Sequence, residues 1–205
     1  MKLFYSPYSC ALAIHVILEE IGKPYELELV DLRAGAQYKP PYVTLNPKSK
    51  VPALLRDDGS LLTELPAIAW YLAKLHPEAA LLPQTLEGEV RALELVDYMV
   101  ATVHMRGFTR IFRPAAFTPT TSDEPAIQQT GRDMVKAGLK LLGGALGAKA
   151  WLLGDYSIAD AVLFYLEDWA TKREKLPMPD NIAAHCARMR ARPAVQRALA
   201  GEGLV

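Results

Sequence analysis

A thiol, a carboxylate and a proline-bounded strand edge are the groups in this chain best suited to chemistry. Cys10 opens the stretch Cys10 to Glu20, which reads as a helix stopped by Gly22. A thiol at a helix N-terminus feels the positive end of the dipole and becomes a thiolate or a hydrogen-bond donor to another thiol. The alternative is a small buried hydrophobe. Glu64 precedes a segment whose apolar residues Leu65, Ile68, Leu72 and Leu75 recur at helical spacing, with Pro66 in its first turn. There a carboxylate can receive an amine while the N–H groups behind it receive a carboxylate, although a plain helix-capping acid has the same signature. Val51-Pro52 begins a short apolar run, Ala53 to Leu55. Proline offers no N–H to a ladder and belongs at the start of an edge strand, where a tight bend is the usual place for a cis bond. Val51 then turns its own N–H and C=O outward, toward an amide. Together the three groups suit a peptide-like ligand.

A further set lies in the second half. Glu94, Asp97, Ala101 and His104 fall at i, i+3, i+7 and i+10 and share one face of a regular helix. Arg106, Arg110 and Arg113 follow; they would recognise an anionic second substrate, but a solvated basic face is the better fit for such arginines. His15, His76 and His185 have no partner nearby in sequence, and no role is assigned to them.

The elements that must position these residues are legible in order. Lys2 to Tyr5 is a short strand, and Pro7 makes a turn before the helix at Cys10. Tyr25 to Val30 alternates as a strand of period two, so strand, helix and strand suggest a parallel βαβ unit. Asp31 to Leu45, with Gly35, Pro40 and Pro41, reads as irregular. A turn at Asp57-Asp58-Gly59-Ser60 joins Ala53–Leu55 to Leu61–Thr63 as a hairpin, and the helix from Pro66 follows. This βαβ-ββα order resembles a thioredoxin-like domain over residues 1–77. A linker over 78–87 leads to an all-helical domain over 88–205, with no strand signal. Its apolar faces are Leu93, Val96, Val100 and Val103, then Val135, Leu139, Leu142 and Leu146. Arg113 to Pro125 is a proline-broken loop able to wall a pocket. Ser157 caps a later helix with Asp160 at the favourable end of its dipole, an arrangement read as stabilising.

Composition narrows the function. Lysines plus arginines and aspartates plus glutamates number 23 each, so no global field recruits nucleic acid or an anionic membrane. With 205 residues and 51% hydrophobic composition the chain can bury one or two cores. Cys10 and Cys186 are far apart and lack metal-ligand spacing, which argues against a disulfide framework or zinc and suits a reducing cytosol. No cleavage signal and no run of about 18 apolar residues is present. A soluble cytoplasmic protein is expected.

Three separated motifs carry a family resemblance. NPKSKVPAL with LTE-x-x-AI-x-x-YLA is similar to the glutathione-binding half of the glutathione S-transferases, while LFYSPYSCALAIHVILEE and the closing ARMRARPAVQRALAGEGL resemble the bacterial beta class. The resemblance implies glutathione as co-substrate, no permanently bound cofactor, no metal, and a homodimer with neither nucleic acid nor membrane as partner. It implies that Cys10 contacts the glutathione sulfur, with Ser9 and Tyr5 at positions that activate the sulfur in other classes, and with His104 beside it. Lys50 matches a position reaching the glycyl carboxylate. Val51, Pro52, Glu64 and Leu65 line the peptide, and Asp97 matches an Asn-type position that reaches glutathione across the dimer. Tyr8, Arg106, Arg110 and Phe117 are the expected lining for a hydrophobic electrophile. Two departures stand out. Leu65 replaces the usual small residue, so only its N–H remains for the γ-glutamyl carboxylate, because Pro66 has none. Counted from Glu94 the spacing to His104 fits, but counted back from Gly107-Phe108 it is one residue too long, with Met105 inserted. The expected activity is glutathione conjugation; a glutathione-dependent disulfide reductase and a non-enzymatic ligand carrier or interaction protein are the rivals.

Overall fold

A computed structural model describes residues 1–204. They divide into two compact units, Met1–Leu82 with the chain from Met189 onward, and Pro83–Arg188.

The first unit is built on a four-stranded sheet in the order β2-β1-β3-β4. Strand β1 (Lys2–Tyr5) pairs in parallel with β2 (Glu26–Leu29) through helix α1 (Ala11–Ile21), and antiparallel with β3 (Ala53–Leu55), which pairs with β4 (Leu61–Thr63). Helix α1 ends where Gly22 takes the left-handed conformation that its sequence position demands. Helix α3 (Leu65–Leu75) follows β4, and Ile68, Ala69 and Leu72 are sealed against the sheet side of the unit. This is the thioredoxin-like order read from the sequence. Two details differ. The stretch expected to be irregular holds a 3-10 turn at Ala36–Tyr38 and a short helix α2 (Tyr42–Leu45). Strand β2, whose alternation predicts one buried face, is exposed throughout and forms one edge of the sheet.

The C-terminal helix α9 (Pro193–Gly201) also belongs to this unit, although sequence reading groups residues 88–205 together. It packs on α1 through charge as well as apolar contact. The Arg192 guanidinium donates to both carboxylate oxygens of Glu20 at 2.6 and 3.0 Å, and Arg197 donates to the Glu19 carboxylate at 2.5 Å. Just beyond α9, Glu202 meets His15 Nδ1 at 3.1 Å with both side chains sealed from solvent. These partners are 172 to 187 residues apart, which explains why His15 looks partnerless in sequence.

The second unit is helical. Helix α4 (Leu86–Asp97) runs into a π-helical stretch, Tyr98–Phe108, and on into α5 (Thr109–Phe112); α6 (Glu124–Leu146) and α7 (Ile158–Asp168) follow, and α8 (Asp180–Ala191) lies in this unit up to Arg188. Helix α6 lies hard against the π-helical stretch because glycines face one another. A Cβ on Gly131 would stand 2.8 Å from the Gly107 carbonyl oxygen, and one on Gly138 would stand 2.6 Å from a Val103 methyl. Val135, Leu139, Leu142 and Leu146 are buried as their spacing predicts. Every residue of α7 is buried, including Asp160, Glu167 and Asp168. Among the described residues, no helix is long and apolar enough to cross a membrane.

Candidate functional site

The residues singled out in the sequence fall in two groups, one in each unit. In the first unit, the Val51–Pro52 peptide is cis, and the turn before it is pinned at the Lys50 carbonyl, which accepts from Tyr42 Oη at 2.5 Å and Asn46 Nδ2 at 2.9 Å. The Val51 carbonyl accepts from Cys10 Sγ at 3.7 Å. The start of α1 therefore touches the chain at Val51. Ser9 turns its hydroxyl onto the Ala11 N–H at 3.2 Å, at the first turn of α1, and Tyr8 is exposed with a positive φ of 60°. Tyr5 is half-buried with its ring 6.2 Å from that of His15, and burial, reinforced by the charge of Glu202, raises its phenol above the usual range.

Cys10 differs from the thiolate that a helix dipole alone would favour. Burial pushes its thiol up to about 12, and its backbone hydrogen bond and the charge of Lys50 offset this only in part. At neutral pH it is a neutral S–H, able to donate a hydrogen bond. Iodoacetamide should accordingly alkylate Cys10 slowly at pH 7, and thiolate formation followed at 240 nm should begin well above the ordinary thiol range near about 8.5. Rapid alkylation at pH 7 would contradict this.

Glu64 caps α3 from a left-handed backbone conformation, φ 70° and ψ 119°, and its carbonyl accepts the Ile68 N–H at 3.0 Å. The carboxylate points to solvent and holds Lys48 Nζ at 2.8 Å; the same ammonium donates to Thr63 Oγ1 at 2.9 Å. Leu65 is buried and Pro66 occupies the first turn. Lys48 was not singled out in the sequence. It gets there because Asn46 Oδ1 accepts the Lys48 N–H and Ser49 adopts a positive φ of 54°, which reverses the chain. The Asn-Pro-Lys-Ser turn was the available signal.

In the second unit, the expected face of Glu94, Asp97, Ala101 and His104 does not survive as a regular stripe. From Tyr98 onward the helix is π-wound, with i→i+5 bonding, so positions counted at regular helical spacing no longer share one face. Asp97 is exposed at the end of α4, whereas His104 is half-buried, its Nδ1 3.2 Å from Tyr165 Oη and its ring 4.8 Å from Trp169 at 89°. Arg110 donates to the Arg106 carbonyl at 2.6 Å and lies over the Phe117 ring at 4.4 Å, so these three expected lining residues do come together. Arg173 lies 3.7 Å over Phe112, which stacks with Phe108. Among the described residues no three His, Cys, Asp or Glu side chains group as a metal site.

Residues 5–75 match the glutathione S-transferase N-terminal domain. Over its whole length the chain is 40% identical to glutathione S-transferase GstA of Escherichia coli O157:H7, itself covered completely. The chain belongs to the glutathione S-transferase family. It is also 29% identical to the disulfide-bond oxidoreductase YfcG of Escherichia coli K12, with 97% of this chain and 94% of that protein covered. Among solved structures, a bacterial beta-class glutathione S-transferase from Sphingomonas chungbukensis superposes with a TM-score of 0.84 at 36% identity, each chain covered completely. A glutathione transferase homologue from Sulfitobacter with bound glutathione superposes with a TM-score of 0.91 at 26% identity, covering 100% of this chain and 98% of that one. For a member of this family, the pairing of Lys48 with Glu64 carries a chemical hint: the carboxylate at the start of α3 already receives an ammonium group.

Proposed function

We propose that this protein is a glutathione transferase that binds glutathione on its first unit and conjugates it to a hydrophobic electrophile held against its second. The observation that carries the reading is the solvent-directed Glu64 carboxylate at the N-terminus of α3, with an ammonium already on it. The γ-glutamyl end of glutathione presents an amine and a carboxylate, which suit Glu64 and the Leu65 N–H at the helix end. The backbone of Val51 suits the cysteinyl amide, and Lys50 suits the glycyl carboxylate. The Cys10 S–H, with Ser9 and Tyr5 beside it in sequence, leaves the Val51 carbonyl and serves as a hydrogen-bond donor to the glutathione sulfur when glutathione binds. Hydrogen bonds and the α1 dipole lower that thiol's pKa, raising the nucleophile fraction at neutral pH, and holding both reactants removes entropy from the barrier. Tyr8, Arg106, Arg110 and Phe117 receive the electrophile. A cytoplasmic homodimer, with Asp97 completing the partner's site, belongs to the same proposal.

Calorimetric titration tests it. Reduced protein should bind glutathione, and Glu64→Ala should weaken binding by about 10- to 100-fold, the equivalent of one charge-assisted hydrogen bond. No binding by the unaltered protein would sink the reading. Relationship to YfcG favours a second reading, glutathione-dependent disulfide reduction. The raised Cys10 thiol weighs against Cys10 itself as the attacking group, leaving the glutathione sulfur for that role. Turnover of a mixed disulfide without turnover of an aryl halide would favour it.

A further inference from the structure

Lys48 is held at both ends. Its backbone N–H donates to Asn46 Oδ1 at 3.2 Å, in a turn that the Ser49 N–H closes on the Asn46 carbonyl at 2.9 Å. Asn46 is itself buried, and its Nδ2 donates to Tyr42 Oη at 3.2 Å and to the Lys50 carbonyl at 2.9 Å, which ties the turn to the core of the first unit. At the far end Nζ donates to Glu64 Oε1 at 2.8 Å and to Thr63 Oγ1 at 2.9 Å. An ammonium carries three N–H groups and a carboxylate two oxygens. The third N–H of Lys48 and Oε2 of Glu64 are therefore left over beside each other, on side chains 56% and 63% exposed. Glu64 does not spend its carboxylate on its own helix, since it makes no side-chain cap to α3. An exposed pair of this kind contributes little to stability. What it does is present a spare donor and a spare acceptor together.

A cationic donor beside an anionic acceptor is complementary to a zwitterion. The γ-glutamyl end of glutathione is one, with its ammonium and α-carboxylate on the same carbon. We propose that Lys48 is a specificity-determining residue that donates its third N–H to this α-carboxylate while Glu64 Oε2 receives the α-ammonium. The inference rests on the glutathione-binding reading above and adds a residue to it. In that reading the α-carboxylate has the Leu65 N–H alone, since the Leu65 side chain has no polar atom and Pro66 no N–H. Lys48 supplies a second, charge-assisted donor. It keeps its bond to Oε1 as it does so, and every charged neighbour in the resulting set is of opposite sign: Lys48 lies between two carboxylates, and Glu64 between two ammonium groups. A ligand missing either member of the α-amino acid pair breaks that alternation, which makes the site selective for a free γ-glutamyl end.

Titration of the reduced protein and of Lys48→Met with glutathione and two of its analogues tests the assignment. γ-Glutamylcysteine N-methylamide keeps the α-ammonium and α-carboxylate but lacks the glycyl carboxylate. 4-Aminobutyrylcysteinylglycine keeps the ammonium and the glycyl carboxylate but lacks the α-carboxylate. Both analogues are neutral overall, so a difference between them does not come from the general field of a lysine. Lys48→Met should weaken glutathione and the methylamide by about three- to tenfold, the equivalent of a charge-assisted hydrogen bond reduced by its exposure. Binding of the aminobutyryl peptide, followed by its displacement of glutathione where direct heats are small, should be unchanged. Equal losses for the two neutral peptides would reduce Lys48 to a source of field and overturn the proposal. So would an unchanged affinity for glutathione, or a higher one, which is the mark of a lysine that only competes for Glu64. The two failures are separable. If the unaltered protein binds none of the three ligands, the glutathione reading falls and this inference with it, whereas binding of glutathione with any of those outcomes overturns the role of Lys48 alone.

Discussion

Asp160→Ala should lower the unfolding free energy by about 3–5 kcal/mol, the range for removing one partner from a buried ion pair. Asp160 is wholly buried, and its two oxygens serve four donors. Oδ1 accepts the Leu152 N–H at 2.8 Å and meets His185 Nε2 at 3.2 Å; Oδ2 accepts the Ser157 N–H at 2.9 Å and the Ser157 hydroxyl at 3.1 Å. The side chain therefore caps α7, ties the loop before it and neutralises a histidine at once. Urea denaturation of the two proteins measures the difference. Asp160→Asn, which keeps an acceptor oxygen but loses the charge, should fall between them and supplies the comparison if the alanine variant does not fold. A loss below about 1 kcal/mol for both variants would mean that the network contributes little.

Raising pH should destabilise the protein through His185. Its ring sits between Asp160 and Glu167, with Nδ1 2.8 Å from Glu167 Oε1, and all three side chains are sealed from solvent. Burial alone would lower the imidazole pKa, but the hydrogen bonds and charges of Asp160 and Glu167 outweigh it and push it up to about 9. The folded value exceeds the unfolded one of about 6.5, so the folded state holds the proton more tightly. The stabilisation is complete below about pH 6.5 and is lost as pH rises through about 9, a change on the order of 3 kcal/mol. Burial also raises Glu167, which acts in the same sense at lower pH. Urea midpoints measured from pH 6 to about 10 should decline, and His185→Gln should flatten that decline. An unchanged slope in the variant would assign the pH dependence elsewhere.

What could be read from the sequence was whatever is local. The hairpin turn at Gly59, the stop at Gly22, the proline in the first turn of α3 and the Ser157–Asp160 box each rest on residues a few positions apart, and each is found as read. The βαβ-ββα order was legible, but the contact of Cys10 with Val51, 41 residues away, was not. The rest depends on partners remote in sequence. His185 and Glu167 are 18 residues apart, His15 and Glu202 187, and Tyr165 and His104 61. No pattern within a single helix predicts such pairs. The π-helix was not read, because the count from Glu94 to His104 assumed regular winding throughout.

The return of α9 to the first unit bears on the order in which the chain acquires structure during synthesis. Residues 83–188 form the second unit as one continuous stretch, whereas the first lacks α9 until that stretch has been made. Until then the face of α1 carrying His15, Glu19 and Glu20 is without Glu202, Arg197 and Arg192. Domains generally fold from the N-terminus during synthesis, but here the thioredoxin-like unit receives its last helix only after the whole helical unit has been made.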